Sequence, residues 1–255
     1  MTAKSHTVKS DADEQSWVQG GPYRLRMSAF VSEEKGQSPI LVVVVHGDAP
    51  FHEPDYQYAF AANAAATHRD VVAVGLLRPG YTDPPGNRSD GERGQATGDS
   101  LNLTNTEAIA GAIGGLKRRW NARKVVVAAH SGGATLAANV LGRHPALIDN
   151  ALLVSSIYDV EKWRQHMFEK TGSPVFQGEI ETLSPIEQIT GMSDQVEVSL
   201  MVGSQDEVAP PSFSEHYEAV AVKHGKKVRL VQLEGEGHDI FLNPAVFAEL
   251  GPMLR

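Results

Sequence analysis

The sequence predicts an α/β fold with a mainly parallel sheet and helices on both of its faces. Continuous apolar and β-branched runs at residues 40–45 and 125–129 are typical of strands that are covered on both sides. Such runs alternate with segments of helical periodicity, which is the order that parallel strands joined by crossover helices require. We expect one domain over residues 19–255 and a loose polar arm over residues 1–18.

The first half of the chain alternates between strand and helix patterns. Residues 23–31 (YRLRMSAFV) alternate in polarity and predict a half-buried strand, and residues 40–45 predict a central parallel strand. Residues 55–68 are rich in alanine and aromatic side chains at helical spacing. Residues 70–77 predict another buried strand.

Residues 78–99 predict a long loop, because five glycines and three prolines interrupt any apolar period. Loops of this length in compact domains are usually functional or disordered. We expect it to overhang a pocket, with Tyr81, Arg88 and Arg93 available to substrates. The alternative is a surface loop without a function.

The second half continues the alternation. A helix is predicted over 104–120, with Thr104 as its N-cap and Glu107 completing a capping box. Residues 157–194 break the rhythm and predict a small cap-like insertion after the sixth strand. The other predicted elements are strands at 124–129, 149–155, 196–202 and 228–233, and helices at 132–143, 211–224 and from 243 onward.

Composition limits the function classes. The 255 residues carry a net charge of −8, so we expect no nucleic-acid or membrane partner. The sequence has no cysteine, which excludes disulfides, thiolate catalysis and cysteine-ligated zinc. Histidine and carboxylate spacings typical of metal sites do not occur, and we expect neither a metal nor a cofactor. Without a secretory pattern or an apolar run of about 20 residues, a cytoplasmic location is the default.

Ser131 is the candidate nucleophile. It follows a strand and precedes a helix in Ala129-His130-Ser131-Gly132-Gly133. A serine on so sharp a turn needs strained backbone and small neighbours two positions away, which Ala129 and Gly133 supply. We call residues 129–133 the nucleophile elbow. The alternative is a serine that only caps the following helix.

A serine nucleophile needs a base, and His238 is the best candidate among ten histidines. It ends a glycine-rich loop after the last strand, which we call the histidine loop (residues 234–239). His46 and His130 also lie at strand ends, but each neighbours a candidate oxyanion or elbow position, where lining or packing roles are expected.

Asp206 is the candidate carboxylate that orients the base. It lies directly past a buried strand, whereas Glu207 is the nearest rival and Asp159 a weaker one. Choosing Asp206 gives the chain order Ser, Asp, His, with each residue after a separate strand. That ordered set is more specific than any member alone.

Two backbone N–H groups are expected to form an oxyanion hole. Gly132 follows the nucleophile, and Asp48 belongs to a loop that we call the HGD loop (residues 46–48). A carboxylate there opposes an oxyanion, so we expect the Asp48 side chain to point away and bond its own loop.

These motifs together resemble the α/β-hydrolase superfamily from about residue 22 to the end. The resemblance implies an eight-stranded sheet with Ser131, Asp206 and His238 as its catalytic triad. SSIYDVEKWR, the later SPI and VGSQDEVAP resemble single-domain esterases of the prolyl oligopeptidase and kynurenine-formamidase-like branch. The sequence departs from the superfamily pattern at Ala129, where glycine is usual, and at HGDAP, in place of HGGG or HGFP.

The predicted activity is that of a cofactor-independent, carboxylesterase-like serine hydrolase. It would cleave small or medium carboxylic esters through an acyl-enzyme, with a pocket lined by His46, His130, Tyr81 and Tyr158. A small-amide hydrolase or peptidase with the same triad is one alternative, and a non-catalytic binding protein on a hydrolase scaffold is another. Perhydrolysis or halogenation would use the same residues as ester cleavage.

Overall fold

An eight-stranded sheet forms the centre of the molecule. The computed structural model describes residues 16–50, 52–94 and 97–255. The strands are β1 Trp17–Gly20, β2 Tyr23–Val31, β3 Ile40–Val45, β4 Val71–Leu76, β5 Lys124–His130, β6 Asn150–Val154, β7 Glu197–Gly203 and β8 Lys227–Leu233. Their order in the sheet is β1-β2-β4-β3-β5-β6-β7-β8, with β1 and β2 antiparallel to their neighbours and all later pairs parallel. The predicted fold class is confirmed.

Helices cover both faces of this sheet. They are α1 Tyr56–Thr67, α2 Leu103–Arg119, α3 Gly132–Arg143, α4 Val160–Thr171, α5 Pro211–Lys223 and α6 Pro244–Met253. Successive side chains of β3 point to opposite faces. Val43 therefore packs in a core with α2 and α3, whereas Val44 packs in a second core with α1 and α6. This double burial explains the unbroken apolar run of β3.

The start of α2 differs from the prediction. Asn102, not Thr104, is the N-cap, because its extended backbone lets its side chain accept the Asn105 N–H. The predicted capping box is therefore wrong. Glu107 instead pairs with Arg143 and His144 at the end of α3.

The predicted arm over residues 1–18 is too long. Residues 1–15 lie outside the described residues, but Trp17 and Val18 belong to β1 and pair with β2. Val18 is buried in the core, and the guanidinium groups of Arg24 and Arg26 lie over the Trp17 ring. These contacts hold the strand where the sequence pattern alone predicts a loose segment.

The segment 157–194, predicted as an insertion, contains α4 and two 3-10 turns, Pro174–Phe176 and Pro185–Gly191. Arg164 of α4 is buried and donates to the carbonyls of Val175, Gln177 and Gly178. The chain after α4 is thereby fastened back onto that helix. Among the described residues, none of the helices has the length and hydropathy needed to cross a bilayer.

Candidate active site

Ser131 lies between β5 and α3 in a conformation that few non-glycine residues adopt, with φ 51° and ψ −128°. Its backbone N–H donates to the Val154 carbonyl of the neighbouring strand β6 at 2.9 Å. A Cβ atom on Gly133 would collide with the His46 carbonyl oxygen, so the strand and helix meet too closely for a side chain there. The strand, turn and helix that the sequence predicts are all present.

His238 connects Ser131 to Asp206. Its Nε2 lies 3.1 Å from Ser131 Oγ, and its Nδ1 lies 2.9 and 3.0 Å from the two Asp206 carboxylate oxygens. A carboxylate only accepts hydrogen bonds, so Nδ1 carries the imidazole proton. The Nε2 lone pair therefore faces the Ser131 hydroxyl, which is the arrangement that a general base requires.

Asp206 is held as a buried acceptor directly after β7. Its side chain has no exposed surface, and Oδ1 also accepts the backbone N–H groups of Val208 and Ala209 at 2.9 and 2.8 Å. These two bonds orient the carboxylate toward His238, independently of its bonds to the imidazole. The rivals have other partners, since Glu207 pairs with Lys170 on the surface and Asp159 caps α4.

The backbone N–H groups of Asp48 and Gly132 donate to no other residue in the described part of the chain. A Cβ atom on Gly47 would lie 2.7 Å from Ser131 Cβ, so the HGD loop packs directly on the nucleophile elbow. Both predicted oxyanion donors therefore belong to segments that touch Ser131.

The Asp48 side chain is placed differently from the prediction. Its carboxylate accepts from the Arg78 guanidinium at 2.9 Å and the Tyr81 hydroxyl at 3.0 Å, not from its own loop. It lies beside the start of α3, since a Cβ atom on Gly132 would be 2.8 Å from Asp48 Oδ1. Arg78 is 1% exposed and faces the carboxylate. The buried cation offsets the negative charge that makes an aspartate unfavourable at this position.

One of the four predicted lining residues lines the cavity beside His238, and three do not. His46 has no exposed surface and accepts the Arg78 backbone N–H, and burial lowers its pKa well below the usual range. Tyr81 is buried against His46 and Asp48. Tyr158 stacks on Tyr217 in the core, with ring centroids 4.2 Å apart. None of these three side chains lines the cavity beside His238, so the lining role predicted for them is corrected.

His130 does line a cavity beside His238, with a volume of about 350 Å³. That volume falls within the range of small-molecule sites. Aromatic and polar side chains and one leucine surround it: Asp48, His52, Tyr56, His130, His238, Asp239, Phe241 and Leu242. Sequence reasoning missed five of these, namely His52, Tyr56, Asp239, Phe241 and Leu242. Their nearness in sequence to the HGD loop or to His238 is the only indication that could have found them.

Two family models match this chain over more than half of its length each. Residues 40–171 match the alpha/beta hydrolase fold, and residues 110–248 match the prolyl oligopeptidase family. The chain belongs to the α/β-hydrolase superfamily. The resemblance of the sequence to this superfamily is confirmed, and this α/β hydrolase is an enzyme of the esterase or peptidase type. The resemblance to kynurenine formamidases stays a prediction.

Solved structures share this fold at low sequence identity. Est1E from Butyrivibrio proteoclasticus, solved with ferulic acid, is 15% identical and matches 93% of this chain and 97% of its own, with a TM-score of 0.68. TT1662 from Thermus thermophilus is 16% identical over 93% and 95%, also at 0.68. A puromycin-hydrolyzing peptidase of Mycobacterium tuberculosis is 18% identical over 89% of this α/β hydrolase but 36% of its own chain, with a TM-score of 0.65. No curated protein sequence gives a significant match.

Proposed function

We propose that this α/β hydrolase is a serine hydrolase that cleaves small or medium carboxylic esters through an acyl-enzyme. One observation carries the proposal. Ser131 Oγ, the His238 imidazole and the Asp206 carboxylate form a continuous hydrogen-bonded series, with separations of 3.1 Å and 2.9 Å. That series is the arrangement by which a serine hydroxyl becomes a nucleophile at neutral pH.

The proposed reaction has two halves. In the first, His238 Nε2 takes the Ser131 proton as Oγ bonds to the ester carbonyl carbon, and the protonated imidazole then gives that proton to the departing alcohol oxygen. In the second, His238 takes a proton from water as the resulting hydroxide attacks the acyl carbon, and the imidazolium then returns that proton to Ser131 Oγ as the Ser131–acyl bond breaks. Asp206 holds Nδ1–H and stabilises the imidazolium in both halves.

The backbone N–H groups of Asp48 and Gly132 are the proposed oxyanion donors. One such donor is worth about 3 kcal/mol of barrier in comparable sites. The Arg78–Asp48 pair supports this role, because its two charges compensate each other beside the position that the oxyanion would occupy. The donors therefore face developing negative charge without an uncompensated carboxylate next to them.

Amide cleavage by the same residues is the second candidate. The match to the prolyl oligopeptidase family supports it, as does the likeness to a puromycin-hydrolyzing peptidase. The ester candidate is supported by the likeness to Est1E, whose structure holds ferulic acid. Because aromatic side chains line the cavity beside His238, esters with aryl acyl groups should be included among the substrates tested.

The test compares Ser131→Ala with the unchanged protein on p-nitrophenyl esters of graded acyl length, hydroxycinnamoyl esters and aminoacyl p-nitroanilides. We expect the variant to lose at least about 1,000-fold in kcat on the preferred ester. Ser155→Ala is the matched control. Like Ser131, Ser155 directly follows a strand, here β6, and has a positive φ, of 50°, but its side chain is buried.

Labelling by a fluorophosphonate separates an enzyme from a binding protein. The unchanged protein and Ser155→Ala should be labelled, and Ser131→Ala should not. If Ser131→Ala kept full turnover, the assignment would be wrong. If the unchanged protein neither turned over any substrate nor took the label, the binding-protein alternative would hold. Faster anilide than ester turnover would favour the peptidase candidate.

A further inference from the structure

A chain of hydrogen bonds joins the HGD loop to the histidine loop through two side chains that the proposed reaction does not use. The Gly47 N–H donates to Tyr56 Oη at 2.5 Å, Tyr56 Oη lies 2.9 Å from His130 Nδ1, and His130 Nε2 lies 3.3 Å from the His238 carbonyl oxygen. We infer that Tyr56 and His130 are positioning residues, which hold the two loops in fixed relation around Ser131. This inference rests on the proposed function.

Only one placement of protons satisfies this chain. The His238 carbonyl oxygen can only accept, so His130 Nε2 must carry a proton and donate it. In the neutral ring Nδ1 is then an acceptor, and the Tyr56 hydroxyl donates to it. The same hydroxyl oxygen accepts the Gly47 N–H. The three hydrogen bonds therefore run from the Gly47 N–H to Tyr56 Oη, from the Tyr56 hydroxyl to His130 Nδ1, and from His130 Nε2–H to the His238 carbonyl oxygen.

The His130 ring has little freedom to leave this position. It is 6% exposed and packs nearly parallel to the Phe241 ring, with centroids 5.4 Å apart. Tyr56 meets it edge-on at 5.5 Å, and the His238 ring lies 5.2 Å away. A buried ring among aromatic neighbours does not readily exchange its partners for water, so both hydrogen bonds act as fixed spacers.

The spacing matters because the HGD loop touches the nucleophile. Gly47 packs on Ser131, and the next residue supplies the Asp48 N–H that we propose as an oxyanion donor. At the other end, the His238 carbonyl belongs to the residue whose imidazole is the proposed base. A shift of about 1 Å in either loop would misplace a reacting group, and such shifts can cost about 100-fold in rate.

Tyr56→Phe tests this role with the least change in volume. It leaves the Gly47 N–H without an acceptor and His130 Nδ1 without a donor. We expect kcat to fall about 10- to 100-fold while KM changes less than about threefold, because the loss affects oxyanion stabilisation rather than substrate binding. Affinity for a boronic acid, whose adduct with Ser131 mimics the tetrahedral intermediate, should fall by a similar factor.

Tyr58→Phe is the matched control. Tyr58 lies on the same helix, and its replacement removes one hydrogen bond, from its hydroxyl to Asp83, rather than the two that join Tyr56 to the HGD loop and His130. We expect its kcat and boronate affinity to stay within about twofold of the unchanged protein. Equal losses in both variants would overturn the inference.

Variants of His130 test separately its hydrogen bond to His238 and its hydrogen bond to Tyr56. In His130→Gln the amide N–H can replace Nε2–H toward His238, and in His130→Asn the amide oxygen can replace Nδ1 toward Tyr56. Each single variant should retain more activity than His130→Ala. Because Tyr56 and His130 act through one chain, Tyr56→Phe combined with His130→Gln should lose no more than about twice the loss of the worse single variant. Fully multiplicative losses would contradict a shared role.

A readout independent of turnover separates failure of this inference from failure of the proposed function. Long-range ¹H–¹⁵N correlation spectra of the unchanged protein should show His130 as the Nε2–H tautomer, and Tyr56→Phe should shift its Nδ1 resonance. An Nδ1–H tautomer would overturn the chain of donors, whether or not the protein is active. If Ser131→Ala abolished turnover and Tyr56→Phe did not reduce turnover, the positioning role would be wrong and the proposed function would stand.

Discussion

The fold constrains the protonation state of the His130 imidazole as well as its position. Burial and the nearby His238 lower its pKa from the usual 6.5 to about 4, and the carboxylates of Asp239 and Asp206 offset this only in part. His46, close by at the end of β3, has its pKa lowered as well, again mainly by burial. The folded protein therefore keeps both imidazoles neutral at a pH where the unfolded chain protonates them.

This difference predicts that stability falls as the pH drops from about 6.5 to about 4, because the unfolded state binds more protons in that window. At about pH 5 the His130 contribution amounts to about 2 kcal/mol of lost unfolding free energy. Urea unfolding at about pH 7.5 and about pH 5 measures it. His130→Gln, which cannot take up this proton, should show a pH dependence smaller by that amount.

The control for this measurement is His216→Gln, which removes an exposed histidine of α5. Its pH dependence should match that of the unchanged protein. An identical pH dependence in His130→Gln and the unchanged protein would show that the imidazole of His130 is not held neutral by the fold.

Individual residues differ in how far sequence predicts their roles. Ser131, Asp206 and His238 are predictable because each follows a strand in a distinctive local motif. The Arg78 partner of Asp48 is not, since no motif links two residues 30 positions apart; the parallel pairing of β3 with β4 places them after neighbouring strand ends. Tyr56 was missed for a related reason, as the first residue of an alanine-rich helix shows only a helical pattern.

At the scale of elements, the nucleophile elbow is a strained connection between a strand and a helix. The φ of 51° and ψ of −128° at Ser131 cost about 1 to 3 kcal/mol for a residue that has a Cβ atom. Ser131→Ala keeps that Cβ, and Ser131→Gly does not. The two variants lack the same hydroxyl and differ in backbone strain, in the entropy of the unfolded chain and in the Cβ atom that lies against Gly47.

We expect Ser131→Gly to be more stable than Ser131→Ala by about 1 kcal/mol, since relief of strain exceeds the greater flexibility of glycine when unfolded. Urea denaturation of the two inactive proteins measures the difference. Ala134→Gly, in the helical first turn of α3, should show the opposite sign and lose about 1 kcal/mol or more. A less stable Ser131→Gly would argue against strain at the elbow.

Element types were predictable where one pattern dominated, and boundaries were not where two local signals competed. The continuous apolar runs of β3 and β5 have no other interpretation in an α/β chain. At the start of α2, Asn102 and Thr104 are both good N-caps. Packing decided between them, because Asn105 of the first turn also donates to the Ser100 carbonyl. That contact cannot be inferred from residue preference.

For the whole molecule, the site exists only when the sheet does. Ser131, Asp206 and His238 follow β5, β7 and β8. These strands belong to one end of the sheet, where the order is β5-β6-β7-β8. The proposed triad residues lie far apart in sequence, so their convergence depends on the folded sheet. The alternation of strands and helices predicted this convergence, whereas the cavity lining depends on loop packing that no pattern encodes.

Activity and secondary structure should therefore disappear together in urea. We expect fluorophosphonate labelling of Ser131 and the far-UV circular dichroism signal to follow one superimposable transition. Labelling after dilution from urea serves as the control for reversibility. If labelling failed at clearly lower urea than the dichroism change, part of the site would be coming apart before the sheet.

The close approach of Gly47 to Ser131 also determines where this enzyme is open to diversification. A randomised library at Gly47 or Gly133 would return mostly inactive clones, because any side chain there meets the nucleophile or the backbone behind it. Leu242, by contrast, lines the cavity while 47% exposed, and few packing contacts would be lost by changing it. Directed evolution of the substrate range is therefore best begun at Leu242.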